Sequence, residues 1–137
     1  MTPRPSRAMV LAAGLGLRLR PLTENLPKPL IELAGRTMLD RALDALAGAA
    51  VAEAVVNTHY LGHMIADHLS RHVAGAAVPR VVLSPEGTLL DTGGGVANAL
   101  PGPGADPVYV ATADSAWRDG PTPALPRLAD SWRRRVM

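Results

Sequence analysis

Short apolar runs alternate with amphipathic stretches along the 137-residue chain. The run from Ala8 to Ala13 stops at Gly14, which predicts a buried strand feeding a loop. From Met38 onward Leu39, Ala42, Leu43, Leu46 and Ala47 recur at helical spacing. With Thr37 as a cap and Gly48 near the end, this predicts an amphipathic helix. Val51 to Asn57 predicts a second strand, Leu61 to His72 a second helix, and Pro79 to Leu83 a third strand. Pro85-Glu86-Gly87 marks a turn, Gly93-Gly94-Gly95 opens a short helix through Ala99, and Pro101 to Pro107 reads as a surface loop before a fourth strand, Val108 to Thr112. Thr122-Pro123 supplies a cap and a first-turn proline to a last helix carrying Leu125, Leu128, Ala129 and Trp132.

Strands that alternate with helices predict an α/β fold: a mostly parallel sheet with helices on both faces. Ligands of such sheets bind beyond the carboxyl ends of the strands. The Gly14 loop and Asp114 each follow a predicted strand, so the topology can bring them to one crevice.

Composition narrows the class. With 47% hydrophobic residues, the length is that of a single domain over residues 1–137. The chain has no Phe, two Trp and two Tyr, so its core is built from Ala, Val, Leu and Ile and offers no aromatic platform for nucleic acid. The net charge of +2 also argues against general nucleic-acid binding. Arg4, Arg7, Arg18, Arg20 and Lys28 nevertheless crowd the glycine-containing start, where they favour a small anionic ligand, while Arg133-Arg134-Arg135 reads as a solvated helix end. Without cysteine, disulfides and thiolate metal sites are excluded. No apolar run is long enough to cross a bilayer and Met1 to Pro5 does not resemble a secretory signal, so the cytoplasm is the expected location.

Lys28 is the only lysine among fourteen basic residues and sits between Pro27 and Pro29. Either composition bias left one lysine by chance, or this position needs a compact ammonium where the planar arginine fork does not serve. Before it lies Gly14-Leu15-Gly16-Leu17-Arg18, a strand-to-loop pattern suited to phosphate because glycine lets backbone amides approach closely. The pattern is neither a dinucleotide fingerprint, which would want glycine where Leu19 stands, nor a P-loop, which would want Gly-Lys-Ser or Gly-Lys-Thr.

Taken together, Gly14-x-Gly16-x-Arg18-x-Arg20-Pro21-Leu22-Thr23 and Pro27-Lys28-Pro29 resemble the signature of the sugar-1-phosphate nucleotidyltransferases. The resemblance implies a Rossmann-like fold and a reaction in which a sugar 1-phosphate attacks the α-phosphorus of a nucleoside triphosphate and releases pyrophosphate. It implies that the segment Leu11, Ala12, Ala13, Gly14 and Gly16 cradles the nucleotide, that Arg18 holds the departing pyrophosphate, and that Lys28 neutralises oxygens around the transferred phosphoryl group. Arg20 is either a further ligand or the partner of a nearby carboxylate. Pro85 to Gly95 resembles the family's second nucleotide-facing segment, with Glu86, Gly93 and Gly94 toward the base and ribose. Asp114 matches the family's magnesium-binding carboxylate, although Thr112 stands where many relatives carry asparagine.

Asn57 to Leu61, Leu90 to Gly95 and Trp117 to Leu125 are most similar to N-acetylmuramate 1-phosphate uridylyltransferases, with mannose-1-phosphate guanylyltransferases next. The resemblance runs from about Arg7 to Trp132 and corresponds to the front part of the family's catalytic domain. A fold incomplete at its C-terminal side is therefore expected, lacking a second metal-binding aspartate and most of a sugar pocket. An unpaired sheet edge prone to self-association is expected as well. The pairs His59/His63 and His68/His72 have a zinc-compatible spacing, but at about 100° per residue they fall on opposite helix faces. Partly buried and solvated histidines are the expectation.

Overall fold

The computed structural model describes residues 4–72, 79–88, 94 and 107–132. Its central strands are β1 (Arg7–Leu11), β4 (Glu53–Thr58), β5 (Arg80–Pro85) and β6 (Tyr109–Thr112), all parallel, in the order β5-β4-β1-β6. After β1 the chain builds outward through β4 and β5, then returns to the other side of β1 as β6. The gap between β1 and β6 is therefore a topological switch point, where the connections leave a crevice at the carboxyl ends.

The strands form because most of their apolar residues, Val and Ala, are β-branched or small and fit between layers. On one sheet face Ala8, Val10, Ala54, Val56 and Tyr109 are buried. Against them lie Leu39, Ala42 and Leu46 of α1 (Met38–Gly48), Ile65 and Leu69 of α2 (Gly62–His72), and Ala129 of α3 (Ala124–Ser131). Alanine on both partners lets helix and sheet approach closely, which replaces the bulk that phenylalanine would supply. Tyr109 is the exception in size; its hydroxyl donates to the Leu125 carbonyl at 3.1 Å, and burial pushes its pKa up. The opposite face carries a smaller cluster of Met9 and Val55 with Leu11 and Val82, whereas α1, α2 and α3 all contribute to the first face. Of the short helix expected from Gly93, only Gly94 is described, and it is helical; the remainder lies outside the described residues, as does the arginine triplet.

Three local expectations are corrected. The predicted strand edges move by one to two residues: β1 ends at Leu11 rather than Ala13, because Ala12 and Ala13 turn into the loop. The last helix is not capped by Thr122; its first amide, Ala124 N–H, is taken by the Asp119 carboxylate at 2.9 Å. A hairpin absent from the sequence reading, β2 (Glu32–Leu33) and β3 (Arg36–Thr37), turns through Ala34 and Gly35, both at positive φ (52° and 78°), as a two-residue hairpin turn requires. Arg36 clasps Asp44 of α1 with two bonds of 2.6 and 2.7 Å, and the Arg41 guanidinium of α1 donates to the Leu33 carbonyl, so the hairpin is held on α1. α1 itself begins as read, with Thr37 Oγ1 accepting from Asp40 N–H at 3.0 Å.

Candidate functional site

The glycine loop leaves β1 at the centre of the sheet. Ala12 and Ala13 are buried, while Gly14 is exposed and faces open space: a Cβ built there meets nothing within 4 Å. Gly16 is different. It sits at φ 66°, and a Cβ would lie 2.8 Å from Thr23 Cγ2 and 3.3 Å from Lys28 Cβ, so the chain's own return path requires glycine here. Thr23 Oγ1 donates to the Gly16 carbonyl at 2.6 Å, and the Tyr60 hydroxyl meets the carbonyls of Thr23 and Glu24 at 2.6 and 3.1 Å. The loop is thus closed on itself and pinned from the segment following β4.

Lys28 opens a short 3-10 turn, Lys28–Leu30, that Pro27 and Pro29 preset; Pro29 and Leu30 are buried. The buried prolines anchor the turn and leave the ammonium pointing across the switch point. There Lys28 Nζ lies 3.1 Å from Asp114 Oδ2. Asp114 is brought to that place by β6, whose exit is tied to β1 through Ala113 N–H donating to the Leu11 carbonyl at 3.1 Å. Burial pushes the Asp114 carboxyl upward, but hydrogen bonds from Lys28, Thr112 and Ser115 and the Lys28 charge outweigh it and hold the group below its ordinary value.

Arg18 and Arg20 are exposed and form no ion pair or side-chain hydrogen bond among the described residues. For Arg20 this sets aside the carboxylate partner considered above. Beside the Lys28–Asp114 pair opens a cavity of about 190 Å³ lined by Leu19, Ile31, Glu32, Leu33 and Met38. Asp114 offers one carboxylate, 45% exposed, and no group of three His, Asp or Glu gathers among the described residues. Such a donor suits a hard cation that keeps waters and phosphate oxygens in its shell, not one held in a protein cage.

The other sequence-derived candidates divide. Glu86 follows β5, is only 7% exposed, and accepts from Asn57 Nδ2 at 2.9 Å. Gly94 is described only as helical, and Gly93 lies outside the described residues. A second cavity of about 460 Å³ opens beside Glu86, between the ends of β4 and β5 and the start of α2, with His59 and His63 on its wall. His63 is exposed, whereas His68 is mostly buried with Nε2 3.0 Å from Asp40 Oδ1. Asn57 stands in a stretch that carries the family resemblance but was not among the expected site residues. A further signal was a polar residue closing the apolar strand of Val55 and Val56.

Among the described residues no helix is long and apolar enough to cross a membrane.

The chain resembles known proteins over most of its length. The chain is 45% identical over 133 residues to an N-acetylmuramate alpha-1-phosphate uridylyltransferase of Caulobacter vibrioides, covering 96% of this chain and 55% of that relative. It is 36% identical over 93 residues to a mannose-1-phosphate guanyltransferase of Schizosaccharomyces pombe, covering 68% of this chain and 25% of that one. The chain spans about half the length, or less, of the curated relatives it matches. Among solved structures, HddC from Yersinia pseudotuberculosis, complexed with GMP-PN, superposes with a TM-score of 0.59 at 28% identity, over 69% of this chain and 41% of that one. The model of the nucleotidyl transferase family matches residues 7–133. With the glycine loop, Lys28 and Asp114 gathered at one switch point, and that match spanning most of its length, the chain belongs to the nucleotidyl transferase family.

Proposed function

We propose that this chain forms the nucleotide-binding part of a uridylyltransferase that joins UTP to N-acetylmuramate 1-phosphate, a step in cell-wall sugar recycling. The observation that carries the reading is the Lys28–Asp114 pair, 3.1 Å apart at the mouth of the glycine loop. A cation and a carboxylate on facing loops suit a polyphosphate that arrives with its own counter-ion.

In this reading the amides of the Ala12–Gly16 loop hold the phosphate chain and Arg18 holds its β and γ groups. An oxygen of the sugar phosphate bonds to the α-phosphorus, the bond from that phosphorus to the α–β bridging oxygen breaks, and pyrophosphate leaves with the electron pair. Lys28 turns from Asp114 toward the α-phosphoryl oxygens as charge develops there. Alignment and charge stabilisation are what such a transfer asks of the protein. Mg²⁺, when bound with the triphosphate at Asp114, supplies further neutralisation of that charge.

The test is pyrophosphate release from UTP, magnesium and N-acetylmuramate 1-phosphate, beside GTP with mannose 1-phosphate. Release in the first mixture supports the reading. Release only in the second shifts it to the guanylyltransferase that the Schizosaccharomyces pombe relative represents. Saturable UTP binding without release would make the chain a nucleotide-binding module with no turnover of its own. The outer edge of β6 pairs with no strand among the described residues, and self-association there is measured by sedimentation at rising concentration.

A further inference from the structure

Asn57 and Thr58 end β4, with His59 next, between the glycine loop and Glu86, the two places that the family resemblance puts against the nucleotide; the proposed function gives Asn57 no part. The Asn57 side chain is buried with the residue 3% exposed. Ala12 N–H, at the root of the glycine loop, donates to Asn57 Oδ1 at 2.6 Å, and Asn57 Nδ2 donates to Glu86 Oε1 at 2.9 Å. A backbone N–H can only donate, so the amide is fixed in one orientation and its other end must give a proton to the glutamate. The next two residues hold the same glutamate by its main chain. Glu86 N–H donates to the Thr58 carbonyl at 2.7 Å, and the Glu86 carbonyl accepts from His59 Nδ1 at 2.8 Å. Glu86 is thereby fixed in both backbone and side chain relative to the loop.

We infer that Asn57 is a positioning residue: one buried amide spans from the phosphate loop to Glu86 and sets the spacing between the phosphate end and the base end of a bound nucleotide. The inference rests on the nucleotide-binding reading above. It predicts that Asn57 matters to a ligand long enough to touch both ends and hardly at all to one that touches only the loop.

Asn57→Asp tests this. The introduced carboxylate still accepts from Ala12 N–H but turns an acceptor toward Glu86 Oε1, and two carboxylates at that distance cannot both remain ionised without strong repulsion. By calorimetry with magnesium present, UTP affinity at pH 8 should fall about tenfold while affinity for inorganic tripolyphosphate falls less than about threefold, the scale of one lost charge-assisted bond. Lowering the pH to 5 should return the variant toward wild type as one proton bridges the pair. Among the described residues His59 is the titratable group hydrogen-bonded to Glu86, and the wild-type profile at the same two pH values is subtracted. In Asn57→Asp with Glu86→Gln, donor and acceptor are exchanged, and the extra pH dependence should vanish.

Equal loss for both ligands, or no loss for either, would overturn the inference. If the wild-type protein binds no triphosphate, the functional reading fails. Amide exchange at Ala12 to Gly16 then decides the link alone: faster exchange in Asn57→Asp that is restored in the double variant keeps it, and unchanged exchange removes it.

Discussion

The two sides of the crevice at the carboxyl end of the sheet are built on opposite principles. On the β1–β6 side the charged groups are exposed or half-exposed: Arg18 and Arg20 stand in solvent, and Lys28 and Asp114 are 32% and 45% exposed. On the β4–β5 side Asn57 and Glu86 are sunk, at 3% and 7%, and each is fixed by hydrogen bonds of defined direction. Exposed charge attracts and neutralises an anion without demanding much of its orientation. Buried directional groups do the reverse, since an unpaired one is costly and so selects what can pair with it. Under the proposed function, a flexible polyphosphate at one end and a planar base at the other would have use for both.

The sharpest way to break this comparison is at Lys28. Lys28→Ala should lower pyrophosphate release by about a hundredfold or more, the scale of removing one donor to developing charge. Lys28→Arg should still lose about tenfold because the fork does not fill the ammonium position. Wild-type rates for Lys28→Arg would return its uniqueness to composition bias. Next in size is the contrast between the two loop glycines. Gly16→Ala should cost about 1–3 kcal/mol in urea unfolding, through positive φ and the Thr23 contact, whereas Gly14→Ala should leave the urea midpoint almost unchanged. If both midpoints move alike, the division between a folding glycine and a ligand-facing glycine is wrong.

Arg18→Ala should weaken triphosphate binding about tenfold at low ionic strength, less at high salt, and leave unfolding unaffected, since the side chain is exposed and forms no ion pair or hydrogen bond among the described residues. The smallest effect lies at the opposite end of the sheet. Glu53 of β4 lies 3.3 Å from Arg7 of β1 and 2.5 Å from Arg80 of β5, and the hydrogen bond from Arg80, against a partly opposing burial, lowers its pKa. A lowered folded-state value means that this stabilisation is complete above the unfolded value near 4.5 and is lost as pH falls through the lower folded one. Glu53→Gln should cost no more than about 1 kcal/mol at neutral pH, and the difference from wild type should close in acid.

How far the chain could be read follows from the range of each interaction. β1, α1 and β4 were legible because many residues repeat one period, and the Thr37 cap is a local bond three residues long. The hairpin was not legible: two-residue strands carry no period, and Ala34 takes a positive φ that its side chain does not advertise. Asp119 displaced Thr122 as the helix cap because the chain bends to deliver a carboxylate five residues ahead of Ala124. At the site, Lys28, Asp114 and Glu86 were each recognisable as residues. That Lys28 meets Asp114 across 86 positions, or Asn57 meets Glu86 across 29, is a product of strand order and has no local signature.

The Tyr60 hydroxyl, fastened to the carbonyls of Thr23 and Glu24 from a separate part of the chain, has a thermodynamic corollary. Ordering a wandering backbone costs about 1–2 kcal/mol for each residue fixed. A turn already moored in this way has met that cost during folding, so an arriving guest keeps more of its contact energy as affinity, and losing the phenolic oxygen should slow capture before it alters chemistry.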